Sequence, residues 1–184
     1  TTTTRKSTMK LIGITGLARS GKDTIAKHLW TRYEFTRIAL ADPLKLAAQQ
    51  AFGLTQAQLG DELKDVVIPY WSIAPRQMYQ QVGDSFKEKF GEDFWVKRWR
   101  LSYGHFMDTD HVVVPDVRFD NEVNEIRAFG GVIVRVIRGT GLEGAAGQHK
   151  SEAGITLPAN YTIDNLGSIS DLHAEVDRIV RSLA

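Results

Sequence analysis

The chain has 184 residues, with 23 Lys and Arg against 22 Asp and Glu, a net charge of +1 at pH 7 and no cysteine. That length suffices for one folded unit with a sizeable core. The balanced charge gives no bulk attraction to nucleic-acid polymers or membrane surfaces, and the lack of cysteine excludes disulfides and thiolate metal sites.

Residues 1–9 read as a polar N-terminal extension without the apolar core of a signal peptide, and Met9 is a candidate natural start. No apolar run approaches the roughly 18 residues of a membrane helix, so the expected location is the cytoplasm. KLIGIT (10–15) is a short β-branched run, a buried strand that ends at Gly16. The pattern predicts a helix over 22–33, with Ile25, Ala26, Leu29 and Trp30 on its apolar side. RIAL (37–40) is a second strand. ADPLKLAAQQAFG opens a helix with Pro43 in its first turn and Gly53 as its stop.

A short helix is expected within 55–65. Another starts at Pro75, with Met78, Tyr79, Val82, Phe86 and Phe90 on one face. Asp93 is the expected cap of the next, in which Trp95, Trp99, Tyr103 and Phe106 recur at i, i+4, i+8 and i+11. HVVVP (111–115) is a third strand. DNEVNEIRAFGG forms a helix capped by Asp120 and ended at Gly130. VIVRVIR (132–138) and YTID (161–164) are strands, and Ser170 caps a final helix bearing Leu172, Val176, Ile179, Val180 and Leu183. Short apolar strands alternating with helices predict an α/β fold, a parallel sheet covered on both faces. The segment 138–154 carries five glycines and little periodicity, which fits either a functional loop or a plain surface loop.

The stretch Gly16-Leu-Ala-Arg-Ser-Gly-Lys-Asp-Thr24 nearly completes G-x-x-x-x-G-K-[ST], with Asp23 where a hydroxyl usually serves Mg²⁺. It lies between a strand and a helix, as a phosphate-binding loop must. Gly16, Leu17, Ala18, Ser20 and Gly21 would supply its backbone, and Lys22 would reach the β/γ-phosphates. Asp23 or Thr24 would serve the metal.

Ligands of open α/β sheets bind beyond the carboxyl ends of the strands, and the other ends carry matching chemistry. Asp42 and Lys45 follow the second strand, Asp116 and Arg118 the third, Arg138 the fourth, Asp164 and Asn165 the fifth. Asp116 reads as the acidic partner of Mg²⁺ or as a helix cap. Arg118 reads as a phosphate contact or as the partner of a carboxylate. Arg19 and Arg138 could neutralise transferred charge, since phosphoryl transfer depends on charge neutralisation more than on covalent help. The Trp95/Trp99 stripe reads as core or as a stacking surface for a base.

GLARSGKDT, ADPLK, PRQMYQQVGDSFKEKFGEDFWVKRW, VVPDVRFDNEVNEIRAFGGVIVRVIR and HKSE together resemble the deoxynucleoside monophosphate kinases of bacteriophages and some bacteria, in order from about residue 10 to residue 180. The resemblance implies transfer of the γ-phosphoryl of ATP to a dNMP with Mg²⁺. It also implies a P-loop three-layer fold: a core over 10–42 and 107–184, a helical monophosphate-binding insertion over 43–106 and a lid over 138–154. It places ATP on Gly16–Thr24 and Asn165, Mg²⁺ on Asp23, Thr24 and Asp116, and catalytic cations at Lys22, Arg19 and Arg138. Asp42, Lys45, Arg76, Gln80, Arg118 and Lys150 fall on the acceptor side, and Gln80 could hydrogen-bond the base. A homodimer is one open outcome, and a phage chain would work in the host cytoplasm. Dephospho-coenzyme A kinase and animal phosphomevalonate kinase, which shares a GKD-type loop, are the alternative activities of this fold. A nucleotide switch without an acceptor is the alternative of another class.

Overall fold

Alternating apolar side chains on three adjacent strands sort themselves onto two faces, and this sorting builds the layers. The computed structural model describes residues 10–60, 62–105, 111–138 and 154–183. Its strands are β1 (Leu11–Thr15), β2 (Thr36–Arg37), β3 (Val112–Val117), β4 (Val132–Ile137) and β5 (Tyr161–Asp164). They form one parallel sheet in the order β2-β3-β1-β4-β5. Ile12, Ile14, Val113, Val134 and Val136 face helices α1 (Lys22–Tyr33) and α7 (Ile169–Ser182). Leu11, Val112, Val114 and Ile133 face helices α5 (Phe94–Tyr103) and α6 (Asp120–Ala128). The alternation is the two-residue period of a strand buried on both sides. Gly13 belongs to this packing, because a Cβ there would come within 2.7 Å of Ile126 Cδ1.

Helices α2 (Asp42–Phe52), α3 (Gln56–Leu59) and α4 (Pro75–Phe90) precede α5 in the chain between β2 and β3. They hold a small core of their own, with Ala48, Leu54, Met78 and Tyr79 at its centre. The chain reverses direction across the sheet at β1, which is flanked by β3 and β4. Such a reversal opens a crevice at the carboxyl ends of the strands.

Several sequence expectations shift. β2 stops at Arg37 instead of running over 37–40, and β3 runs on through Asp116 to Val117. The helix expected within 55–65 is the single turn Gln56–Leu59. Trp30 and Phe90 point outward, 63% and 64% exposed. The cap of α6 is Phe119 and not Asp120, whose carboxylate instead accepts from the backbone N–H groups of Thr156 and Leu157. The cap of α7 is Ser168 and not Ser170: Ser168 Oγ accepts from Asp171 N while Asp171 accepts from Ser168 N, a reciprocal capping box. Asp93 precedes α5 without a side-chain cap bond and pairs with Lys97 at 3.0 Å. Residues 1–9, Phe106 and the segment 139–153 with Lys150 lie outside the described residues.

Candidate active site

The loop after β1 is built around left-handed backbone. Gly16 has φ 150° and Gly21 φ 107°. A Cβ on Gly16 would lie 2.4 Å from Val136 O, and one on Gly21 would lie 2.5 Å from Asn165 Nδ2. Glycine is required at both places. Arg19 also has a positive φ, 63°, a strained state that clusters at ligand sites. Helix α1 starts at Lys22 with no side-chain cap bond at Gly21. Its first N–H groups and its dipole are therefore directed at whatever the loop encloses.

Lys22 is buried at 8% exposure and donates from Nζ to Gly16 O at 2.8 Å and Leu17 O at 2.7 Å, arching over the loop. Ser20 Oγ is buried and without a hydrogen-bond partner among the described residues. An orphaned hydroxyl beside a lysine and a helix start is a donor set suited to phosphate oxygens. Asn165 does not reach toward a ligand. It is buried and donates from Nδ2 to Ser20 O at 2.8 Å, bracing the loop from behind.

A cavity of about 240 Å³ runs from this loop along α4. Of the residues expected from sequence, it is lined by Ala18, Arg19, Lys22, Asp23, Lys45, Arg76, Gln80, Asp116 and Arg118. Gly16, Leu17, Ser20, Gly21, Thr24, Asp42, Asn165 and Arg138 do not line it. Asp42 pairs with Arg37 at 2.8 Å, and Arg138 is exposed beyond β4. Thr24 is half-buried behind Asp23, which is exposed at the rim.

Asp116 is aimed by an irregularity in β3. The register steps from Gly13↔Val114 to Thr15↔Val117, so β3 carries one extra residue there. Bulges of this kind redirect a side chain beside a site. The carboxylate accepts from Leu40 N at 2.9 Å and Ala41 N at 2.8 Å, and burial pushes its pKa up against those two bonds. Asp116 therefore joins β3 to the start of α2, and each of its oxygens keeps a lone pair for another partner.

Sequence reasoning missed one wall of the cavity: Arg37, Lys64, Asp84, Lys87, Phe119 and Glu122. Lys87 is buried with its ammonium 3.5 Å from the centre of the Phe119 ring, a cation–π contact. Glu122 is buried and accepts from Arg118 N at 2.7 Å and Phe119 N at 3.0 Å. A signal was present in the sequence, because Arg76, Gln80, Asp84 and Lys87 recur at i, i+4, i+8 and i+11 along α4. Those positions are one helical stripe beside the apolar one.

Burial raises the Glu122 pKa from 4.5 to about 7, with the Asp116 charge adding to it and Lys87 and the backbone donors opposing it. A raised acid pKa gives stability that is complete below the unfolded value and lost as the pH rises through the folded value. The stability difference between wild type and Glu122→Gln should therefore move against wild type between pH 4.5 and about 7. The expected change is on the order of 3 kcal/mol, measured by urea unfolding of both proteins across that range. A pH-independent difference would mean that folding leaves the Glu122 pKa unshifted.

Comparison with known proteins agrees with this architecture. A family model described as deoxynucleotide monophosphate kinase matches residues 10–65 and 55–176. The deoxynucleotide monophosphate kinase of Enterobacteria phage T4 is 24% identical over 245 residues, covering 95% of this chain and 100% of its own. A homologue in Acanthamoeba polyphaga mimivirus is 34% identical over 144 residues, covering 71% of this chain and 75% of its own. Among solved structures, a Thermus thermophilus protein superimposes with a TM-score of 0.54 at 17% identity, covering 96% of this chain and 98% of its own. A gluconokinase from Sinorhizobium meliloti gives 0.51 at 12%, covering 97% of each chain. The structural likenesses carry the P-loop kinase fold alone. The family match spans most of the chain and includes the loop, the cavity wall and the DVRF segment, so the chain belongs to the deoxynucleotide monophosphate kinase family and is a phosphotransferase.

Proposed function

We propose that the enzyme transfers the γ-phosphoryl of ATP to a deoxynucleoside monophosphate, giving dNDP and ADP with Mg²⁺, as a cytoplasmic protein. One observation carries this reading: a single cavity joins the phosphate loop to the polar stripe of α4, with Arg19, Lys22, Lys45 and Arg76 along it. Two phosphate-bearing molecules placed end to end need such a row of cations between them. A switch without an acceptor has no use for the α4 wall.

The donor's phosphates sit on the loop N–H groups, with Ser20 Oγ as a further donor. Lys22 leaves the carbonyls of Gly16 and Leu17 for the β- and γ-oxygens. An oxygen of the acceptor's phosphate attacks the γ-phosphorus, and the bond to the β–γ bridging oxygen breaks with its electron pair leaving on ADP. Arg19 offsets charge on the transferred group from the loop side. Gln80 serves the acceptor's base from α4. Residues 43–106 act as the acceptor-binding insertion.

The side chains fit Mg²⁺ in the manner usual for nucleotide enzymes. Among the described residues no group of three or more His, Cys, Asp or Glu is placed to hold a metal. Asp23 and Asp116 both face the cavity. Mg²⁺ typically takes one or two carboxylates, substrate phosphates and water, and when bound it draws charge from the phosphate oxygens. Asp23 faces the cavity and Thr24 does not, which favours Asp23 as the metal's partner. Asp23→Ala, which leaves no oxygen at this position, should raise the Mg²⁺ concentration for half-maximal rate by about 10-fold or more. Unchanged Mg²⁺ dependence and unchanged KM for ATP would mean that Asp23 has no metal role.

The activity itself is tested with ATP, Mg²⁺ and each dNMP and NMP in turn, beside dephospho-coenzyme A and phosphomevalonate. ADP release should depend on a dNMP. Release that depends on no nucleotide would overturn the acceptor assignment.

A further inference from the structure

On the sheet face covered by α1 and α7, two histidines meet across the helices. The rings of His28 on α1 and His173 on α7 stack with centres 3.9 Å apart and planes 12° from parallel. His28 Nε2 lies 2.7 Å from Asp177 Oδ1, and the same oxygen accepts from the Tyr33 hydroxyl at 2.9 Å. Arg32 Nε stands 3.6 Å from Asp177 Oδ2. His28 and Arg32 are one turn apart on α1, as His173 and Asp177 are on α7, so each helix lends one face to the contact. The side chains of His28 and Asp177 are 10% and 19% exposed. None of these five residues lines the cavity, but both helices lead to the phosphate loop. Helix α1 starts in it at Lys22. Leu172, next to His173, packs beside it, since a Cβ on Gly21 would lie 3.6 Å from Leu172 Cδ2. Asn165, ahead of α7, braces Ser20.

We propose that the stacked His28–His173 pair is an acid-sensitive joint: charging both rings parts α7 from α1 and loosens the phosphate loop. The groups that act on the pair and its carboxylate are His28, Arg32 and Tyr33 from α1 and His173 and Asp177 from α7. Among them Asp177 is the one carboxylate, and Arg32 and the Tyr33 hydroxyl already share it. It can offset one protonated ring, while a second ring stacked on the first meets a like charge. Burial, and then the His28 charge, hold the His173 pKa below its ordinary 6.5, with Asp177 opposing. A depressed pKa gives stability that is complete above the unfolded value and lost as the pH falls through the folded one. The loss therefore sets in below pH 6.5. Its route to the site is short, because an α7 that backs away from α1 withdraws Leu172 from Gly21 and Asn165 from Ser20. The consequence for ATP rests on the phosphoryl-transfer reading above.

The test compares the full wild-type chain with His173→Phe, which keeps a flat ring and takes no proton. His173→Gln serves as the second variant should the first fail to fold. Between about pH 7.5 and pH 5, where histidine changes charge, the urea midpoint should fall more steeply in wild type than in the variant. Over the same range the calorimetric Kd for ATP should rise in wild type by about 5-fold or more beyond its rise in the variant, the scale of a partly exposed charge pair. Protonation of ATP itself enters both proteins equally. An NMR titration of the imidazole C2 protons reads the joint directly. His173 should titrate at higher pH in His28→Phe than in wild type, because the like charge is gone.

Parallel pH dependence of the urea midpoints overturns the joint, as does a His173 titration that does not move in His28→Phe. A steeper wild-type midpoint with parallel ATP affinities overturns the link from the joint to the loop. If the wild-type protein binds no ATP at neutral pH, the nucleotide reading fails instead. The joint is then decided by the midpoints and the NMR titration, neither of which needs a ligand.

Discussion

Lys22→Ala should lower kcat by about 100-fold or more, the usual cost of removing one preorganised cation from the charge that develops in the transition state. The structure adds a second part to the effect. Lys22 Nζ binds the carbonyls of Gly16 and Leu17, so in the free protein it also ties the loop to the start of α1. Losing those two bonds releases the loop, whose left-handed Gly16, Arg19 and Gly21 are held by their surroundings. The fall in stability should be on the order of 3 kcal/mol, since each of the two lost hydrogen bonds to a charged group is worth about 1.5–3 kcal/mol, and it is separable from the rate by unfolding measurements. Lys22→Arg keeps the charge but replaces a compact ammonium with a planar fork, so it should recover stability better than rate. Single-turnover kinetics with saturating ATP isolates the chemical step. A near-normal kcat in Lys22→Ala would remove the phosphate loop from the mechanism.

The loop, the parallel sheet and the strand-end residues Asp116 and Arg118 were legible because each is written in adjacent residues. A strand period, a glycine spacing and a helix start need nothing from elsewhere in the chain. β2 shows where this stops. RIAL has the composition of a strand, and Ile38 N still bonds Val113 O. The next donors, Leu40 N and Ala41 N, turn to the Asp116 carboxylate. A side chain 75 residues away ends the strand, and no local pattern contains it. The Ser168 and Ser170 choice was decidable in principle, since the capping box needs an acidic group at the third helical position and Asp171 provides it only for Ser168. Arg76 was found as a residue, but its pairing with Asp65 was not. Lys64 was missed because a lysine in an irregular segment reads as solvated until the fold turns it inward. The α4 stripe lay in view, yet a polar helical face reads equally as surface and as cavity wall.

The aromatic helix decides the second large effect. Sequence left Trp95 and Trp99 between core packing and base stacking, and the structure separates them. Trp95 lines the cavity and donates to Gly83 O at 3.1 Å. Trp99 is 1% exposed, stacks on Tyr103 with ring centres 4.7 Å apart, and donates from Nε1 to Ile38 O at 3.2 Å. Trp99→Ala should cost about 3–5 kcal/mol, the range for emptying a large aromatic site in a close-packed core. Trp99→Phe should cost less, because a ring remains, but it leaves Ile38 O without its donor at about 1–3 kcal/mol. The two variants together separate packing from the hydrogen bond in urea unfolding.

The consequence reaches the site because Ile38 lies two residues before Leu40, and Leu40 and Ala41 carry the Asp116 tie. Loosening Trp99 therefore frees the cavity edge that precedes Lys45. Trp99→Phe should raise KM for the acceptor while leaving KM for ATP unchanged, since the loop braced by Asn165 lies on the other side of β1. A loss below about 1 kcal/mol in Trp99→Ala, well under the core range, would mean that α5 does not anchor this edge. Acceptor binding would then have to be organised by α4 alone.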